Sequence, residues 1–195
     1  CLSLFFVDEV ANYRQYDDDG NQKLGRYGEI FEQEYMDELN NNQNMYDPDY
    51  MAYLESISAH ATHAGYFSID KKGRSINSSV KRGSDQSDDT SAYDLILKNK
   101  ERLLSLDEPV RFIFSHSALR EGWDNPNVFQ ICSLRQSNSV SQKRQEVGRG
   151  LRLCVDRYGV RQDNDALPEE VHKVNRLTVI ASEGYATFVA DLQRD

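Results

Sequence analysis

Four nearly continuous apolar runs constrain the fold of this chain more than any other feature. They lie at residues 2–7, 110–114, 128–132 and 177–181. A strand with one face in water alternates apolar and polar residues, whereas a strand covered on both faces has no need to alternate. Helical patterns are interspersed with these runs, at 27–39, 49–60, 93–106, 139–148 and 183–193. The sequence therefore predicts an α/β fold, with a mainly parallel sheet and helices on both of its faces.

The length and composition fit a single domain. A chain of 195 residues can bury one full core and is short for two. Two polar segments interrupt the pattern: the Asn-rich stretch 40–44, between helices, and the Ser/Asp/Gly-rich stretch 73–91, which predicts a flexible loop or insertion. The sequence starts with Cys1 instead of Met, so we expect it to be a fragment of a larger polypeptide.

Cysteine usage and hydropathy bear on the compartment. The three cysteines are an odd number without CxxC spacing, which disfavours a disulfide framework and favours a reducing cytoplasm. No apolar run approaches the ~20 residues of a membrane helix, so we expect no membrane partner.

The charge is distributed unevenly along the chain. The net charge is −9, which argues against a simple basic nucleic-acid binder. Residues 111–161, however, contain nine basic and four acidic residues, a net charge of +5. Arginine forks match phosphate oxygens, so this segment is suited to a phosphate ligand. On charge alone, a solvated helix face that balances acidic neighbours is the favoured alternative.

Residues 145–152, QEVGRGLR, hold the most informative motif. Along the predicted helix, Gln145, Arg149 and Arg152 stand at positions i, i+4 and i+7, so all three are expected to project from one face. The two glycines of the motif are poor helix formers and indicate either a close approach or a helix exit. Two neighbouring guanidinium groups are suited to clamping a triphosphate.

The spacing Q-x-x-G-R-x-x-R resembles motif VI of superfamily two helicases and translocases, in which both arginines reach the γ-phosphate of ATP. Residues 120–124, REGWD, resemble motif V, and residues 2–7 occupy the place of motif IV, the first strand of the second RecA-like domain. The resemblance thus implies a RecA-like domain in which Arg149 and Arg152 are the catalytic residues.

The same resemblance implies two further groups of site residues. The ATP-binding residues are Gly122, Asp124 and Gln145. The DNA-binding residues are Ser115, Ser117 and Arg120, with one of the two serines on the DNA backbone.

Four ordered blocks narrow the resemblance to the restriction (Res) subunit of type III restriction endonucleases. The blocks are LSLFFVDEVANYR at 2–14, GYFSIDKKG at 65–73, RFIFSHSALREGWDNPNVFQIC at 111–132 and QEVGRGLRL at 145–153. The sequence contains neither a GxxxxGK[ST] phosphate loop nor an Asp-Glu-x-His box. Both belong to the first RecA-like domain in this family. Residues 1–195 are therefore interpreted as the second RecA-like domain alone, lacking its own P-loop.

The resemblance implies an ATP-dependent DNA translocase whose activity is coupled to DNA cleavage by the whole enzyme. ATP and Mg²⁺ would be bound mainly by the absent first RecA-like domain. Implied partners are double-stranded DNA, that first domain, the nuclease domain of the same chain and the modification methyltransferase (Mod) subunit. The isolated chain is expected neither to hydrolyse ATP nor to cut DNA. A type I restriction motor, another superfamily two DNA helicase and a non-catalytic DNA-binding module remain as alternatives.

Other motifs are interpreted as structural. Pro48-Asp49 with Asp70-Lys71-Lys72 fits a short nuclease pattern, but the second element is predicted to be a turn. The acidic run 17–20 lacks a full calcium-loop pattern and also predicts a turn. His60 and His63 have no third metal ligand at a convincing spacing in the sequence, so we expect surface or packing roles and no metal site.

Overall fold

The computed structural model describes residues 1–45, 47–70, 72–77, 102–105, 107–116, 125–135 and 140–180, together with Phe188 and Ala190. The strands are β1 (Leu2–Phe6), β2 (Arg14–Tyr16), β3 (Gln22–Leu24), β4 (His63–Tyr66), β5 (Ser68–Ile69), β6 (Ser75–Ile76), β7 (Phe112–Ser115), β8 (Val128–Ser133) and β9 (Thr178–Ile180). The helices are α1 (Arg26–Asn41), α2 (Pro48–Glu55), α3 (Val140–Gly148) and α4 (Val171–Val174). Short 3₁₀ segments include Ala59–Thr62 and Arg102–Leu104. Within these ranges, no helix has the length and apolar character needed to cross a membrane.

The central sheet contains five strands in the order β4-β7-β1-β8-β9, and every neighbouring pair is parallel. Strand β1 lies in the middle, where Ser3 pairs with Phe112 on one side and with Gln130 on the other. This arrangement confirms the predicted α/β fold. All four apolar runs form strands of this sheet.

Both faces of β1 and β7 are covered, as the continuous apolar runs predicted, whereas β9 at the edge of the sheet has exposed first and last residues. Leu2, Leu4 and Phe6 point into one core together with Ile113 and Ile131. The alternate positions of β1 and β7 pack into a second, aromatic core on the opposite face. It contains Val7, Val10, Tyr13, Phe67 and Phe114, with Phe5, Tyr27, Phe31 and Phe112 against it.

The fifth strand, β4, has no apolar run and was not predicted. Its sequence, HAGY, contains a glycine that the packing requires. A Cβ atom on Gly65 would stand 2.4 Å from a ring carbon of Phe67 and 2.5 Å from a ring carbon of Tyr13. The aromatic core therefore excludes the β-branched side chains that normally identify a strand.

Polar segments follow the predictions in part. The acidic run 17–20 is the turn of the hairpin β2–β3, with Gly20 at φ +84°. The stretch predicted as a loop at 73–91 begins with β6, which pairs with β5, and its remainder from residue 78 lies outside the described residues. The helix predicted at 49–60 is shorter than expected: α2 ends at Glu55, and a 3₁₀ segment follows. The helix predicted at 93–106 is described only at its end, where residues 102–104 are 3₁₀.

Candidate functional site

The carboxyl ends of three neighbouring parallel strands meet at one edge of the sheet. Beyond the ends of β1 and β7, the Val7 amide donates to the carbonyl oxygen of Ser115 at 2.9 Å. Beyond β8, the Leu134 amide donates to the carbonyl oxygen of Phe6, also at 2.9 Å. In open α/β sheets, ligands bind outside this edge. Residues 117–124 and helix α3 both follow strands that end here.

A buried ion pair fixes helix α3 against this edge. The guanidinium of Arg135, two residues beyond β8, donates to the carboxylate of Glu146 on α3 and to the carbonyl oxygen of His116. The same guanidinium lies 5.5 Å from the ring centroid of Phe6 at the end of β1. The Glu146 side chain is fully buried and that of Arg135 is 10% exposed. Arg135 therefore joins α3 to the ends of β1 and β7.

Helix α3 has one buried face and one exposed face. Lys143, Glu146 and Val147, spaced i, i+3 and i+4, are buried. Gln145 is exposed on the opposite side. Because Glu146 is held by Arg135, the rotation of the helix about its axis is set, and Gln145 faces solvent at the carboxyl edge.

The two predicted catalytic arginines follow the helix and are not part of it. α3 ends at Gly148, and the amides of Arg149 and Gly150 close the last turn onto the carbonyl oxygens of Glu146 and Val147. The prediction that Gln145, Arg149 and Arg152 share one helical face was therefore wrong, because both arginines lie beyond the last helical residue. Arg149 is half-buried and Arg152 is exposed.

Gly150, two residues beyond the end of α3, lies in close contact with Leu177. A Cβ atom there would stand 2.4 Å from Cδ1 of Leu177, just before β9. The close approach predicted for the glycines is confirmed at Gly150, whereas Gly148 has open space around it.

The segment after the arginines is fixed by two asparagine side chains. Asn127, just before β8, donates to the carbonyl oxygen of Val155 at 3.0 Å and accepts from its amide at 2.9 Å. Asn175 accepts from the amide of Cys154 and donates to the carbonyl oxygen of Gln162, both at 2.7 Å. The chain after Arg152 is thus tied to β8 on one side and to the end of α4 on the other.

The predicted motif V residues are described only in part. Ser115, the last residue of β7, is 2% exposed and lies within the sheet edge. Ser117, Arg120, Gly122 and Asp124 lie outside the described residues, so their roles remain predictions.

Two groups beside this segment have unusual environments. Burial, and then the nearby positive charge of Arg135, lowers the pKa of His116. Asn125 is 1% exposed, and its Nδ2 has no hydrogen-bond partner within the part of the chain that the structure describes. Buried amide donors are normally satisfied, so this nitrogen is an exception among the described residues.

The motifs interpreted as structural can also be located. Asp70 follows β5 and accepts from the backbone amides of Lys72 and Arg74 at 2.8 and 2.9 Å, and from the Arg74 side chain. This is a closed turn, as predicted. The His60 and His63 side chains converge on Glu32, a carboxylate that sequence spacing did not reveal.

Sequence reasoning missed the residues that hold the site together. In the sequence, Arg135 and Glu146 are only two of the charged residues of the segment 111–161. The burial of Glu146 between Lys143 and Val147 is visible only in the structure. Asn127, directly before an apolar strand, gave no distinct signal.

The five-stranded parallel sheet with its helices defines an α/β domain of the RecA-like class. No protein-family model matches the chain. It is 46% identical over 162 residues to the type III restriction-modification enzyme EcoP15I Res subunit of Escherichia coli, covering 80% of the chain and 15% of that relative. It is 40% identical over 210 residues to the StyLTI Res subunit of Salmonella typhimurium, covering 100% of the chain and 20% of that relative. The chain belongs to the Res subunits of type III restriction-modification enzymes and spans a fifth or less of the length of these relatives.

Proposed function

We propose that this chain is the second RecA-like motor domain of an ATP-dependent type III restriction enzyme. It would contribute motifs IV, V and VI to ATP hydrolysis and DNA translocation. The observation that carries the proposal is the buried Arg135–Glu146 pair, which holds the motif VI helix against the carboxyl edge of the sheet. Similarity to Res subunits supports the type III assignment over a type I motor or another helicase.

In the proposed mechanism, Arg149 and Arg152 act on ATP bound chiefly by the first RecA-like domain. Their guanidinium groups would stabilise charge that develops on the γ-phosphate oxygens, as arginine fingers do in related phosphoryl transfer. The two guanidinium groups are hydrogen-bond donors that fit phosphate oxygens. They cannot bind Mg²⁺, which takes oxygen ligands. The metal would be held by the first domain and would neutralise phosphate charge there.

The fixed position of α3 would help to position the two arginines for this phosphate chemistry. An arginine finger is effective only if its position is set before the reaction, since a displacement of about 1 Å can cost about 10²-fold in rate. Both ends of the segment that carries the arginines are held. Gly150 packs closely against Leu177, and Val155 is bonded to the Asn127 side chain. Gln145, exposed beside them, would couple the nucleotide to the DNA-bound state. Gly122 and Asp124 would line the nucleotide.

DNA would be contacted through its backbone by Ser117 and Arg120. Because Ser115 is buried, Ser117 is the better of the two serines for this contact. Cleavage would be performed by a nuclease domain elsewhere in the subunit, together with a Mod subunit, in the cytoplasm. The isolated chain, which lacks a phosphate loop, would neither hydrolyse ATP nor cut DNA.

The test replaces each arginine in the complete subunit. Arg149→Ala or Arg152→Ala should lower DNA-stimulated ATP turnover by ~10³–10⁵-fold, equivalent to about 4–7 kcal/mol of transition-state stabilisation, with the fold unchanged. Lysine should rescue poorly because an ammonium group cannot reproduce the planar fork.

Arg157→Ala is the matched control, since Arg157 is an exposed arginine five residues beyond Arg152. It should keep wild-type turnover. If Arg149→Ala and Arg152→Ala lower the melting temperature but leave ATP turnover within a few-fold of wild type, the arginines are structural and the proposal fails.

A further inference from the structure

A carboxylate and two imidazoles converge on the aromatic side of the sheet, away from the motif VI helix. Glu32 lies in the middle of α1, His60 lies in the 3₁₀ segment that follows α2, and His63 is the first residue of β4. Oε1 of Glu32 is 2.8 Å from Nδ1 of His60 and 3.1 Å from Nε2 of His63. The three donor atoms lie within 4.8 Å of one another.

We propose that Glu32, His60 and His63 bind one divalent transition-metal ion of the zinc type. Two imidazoles and a carboxylate are a common three-residue zinc ligand set, which leaves a fourth position for water. Tetrahedral ligands about 2.0–2.1 Å from a zinc ion stand about 3.3 Å apart. The two measured separations are about 0.5 and 0.2 Å shorter than that value, so the Glu32 oxygen would move slightly away from both rings on binding.

A second shell is already in place on the buried side. Nδ1 of His63 is 2.7 Å from the hydroxyl of Tyr13, which packs in the aromatic core. Because a carboxylate only accepts hydrogen bonds, Nε2 of a neutral His63 would donate to Glu32 when no metal is bound, and Nδ1 would accept from the Tyr13 hydroxyl. With a metal on Nε2, the ring proton moves to Nδ1 and is donated to the Tyr13 oxygen. A hydroxyl can take either role, and such partners orient metal-bound histidines.

The exposure of the two histidines fits a site that is rigid at its base and open at its mouth. The His63 side chain is 1% exposed, whereas that of His60 is 74% exposed and leaves an entry path for the ion. Arg14 is a nearby cation, with its guanidinium 5.8 Å from the Tyr13 ring centroid. The negative charge of Glu32 would offset its repulsion of a bound ion. A bound ion would tie α1 to the edge strand β4.

The test measures zinc bound by the complete subunit after equilibration with Zn²⁺ and removal of free ion. Wild type should hold one more zinc per subunit than His60→Ala. His60 is the informative position because its exposed side chain can be removed without opening the core. The matched control is His172→Ala, an exposed histidine on α4, which should hold the wild-type amount.

Two further variants test the individual roles. Glu32→Gln should lose the same zinc, whereas Glu29→Gln, an exposed carboxylate one turn earlier on α1, should keep it. Tyr13→Phe should weaken zinc binding about 10–100-fold without abolishing it. Equal zinc content in wild type and His60→Ala would overturn the proposal and leave the cluster as a hydrogen-bond network. This readout is independent of ATP turnover, so it succeeds or fails separately from the proposed function.

Discussion

Replacement of Glu146 by glutamine tests whether the buried pair with Arg135 holds the motif VI helix. The substitution keeps the shape of the side chain and removes its charge, which leaves the Arg135 guanidinium buried without its carboxylate. Breaking a buried ion pair in this way typically costs about 3–5 kcal/mol. At an effective dielectric of about 20, two unit charges 4 Å apart attract by about 4 kcal/mol, which agrees with that range. The Arg135 bond to the His116 carbonyl remains and keeps the loss from being larger.

The chain supplies its own control for this measurement. Lys173 and Glu170 form a pair on the surface, 2.7 Å apart, with side chains 69% and 51% exposed. Exposed pairs of this kind contribute about 0.2–1 kcal/mol. Urea unfolding of the chain should therefore show a loss of 3–5 kcal/mol for Glu146→Gln, and at most about 1 kcal/mol for Glu170→Gln.

A compensating variant separates charge from packing. Arg135→Met combined with Glu146→Leu removes both charges and fills a similar volume, so it should recover much of the stability that Glu146→Gln loses. If Glu146→Gln costs no more than Glu170→Gln, the buried pair does not fix the helix, and the reasoning about the rigid mounting of the arginines is refuted.

Two further outcomes are expected. Asp70→Asn in the complete subunit should leave DNA cleavage within a few-fold of wild type, because the Asp70 carboxylate is occupied by the Lys72 and Arg74 amides of its turn; loss of cleavage with an intact fold would assign Asp70 to a nuclease site. Burial, followed by the charge of Arg135, holds the pKa of His116 below 6.5, so the unfolded chain binds this proton more readily than the folded chain. Stability should therefore fall as the pH drops from 6.5 toward the folded-state pKa. His116→Gln should reduce that slope in urea titrations, and an unchanged slope would contradict the assignment.

The strands of the sheet that are rich in apolar residues could be predicted from the sequence. β1 and β7 are apolar because both of their faces are covered, which gives nearly continuous apolar runs. β9 is also part of an apolar run, although its Thr178 and Ile180 side chains are exposed at the edge of the sheet. β4 has no apolar run. At its Gly65, the neighbouring aromatic rings leave no room for a larger side chain. The hairpins β2–β3 and β5–β6 are short and polar, so only their turns could be anticipated.

The chemistry assigned to the candidate site stays a prediction, whereas its local geometry differs from the expected one. The spacing of Gln145, Arg149 and Arg152 predicted one helical face, but α3 ends at Gly148 and Gly150 packs against Leu177. That contact joins residues 27 positions apart and has no local pattern. The same holds for Glu32, which lies 28 residues from His60 along the chain and meets it only after folding.

The central position of β1 has a consequence for how the domain is made on the ribosome. Ser3 pairs with Phe112 and Gln130, so the middle strand leaves the ribosome long before either neighbour exists. Ser3 and Phe112 are 109 positions apart, so at about 5–20 residues per second the ribosome needs about 5–20 s to reach Phe112. During that interval the segment LSLFFV has exposed apolar side chains and unpaired backbone groups on both edges, which are the properties of an aggregation-prone strand. Folding of this domain therefore depends on keeping its first strand unpaired and soluble until residue 133 has been synthesised.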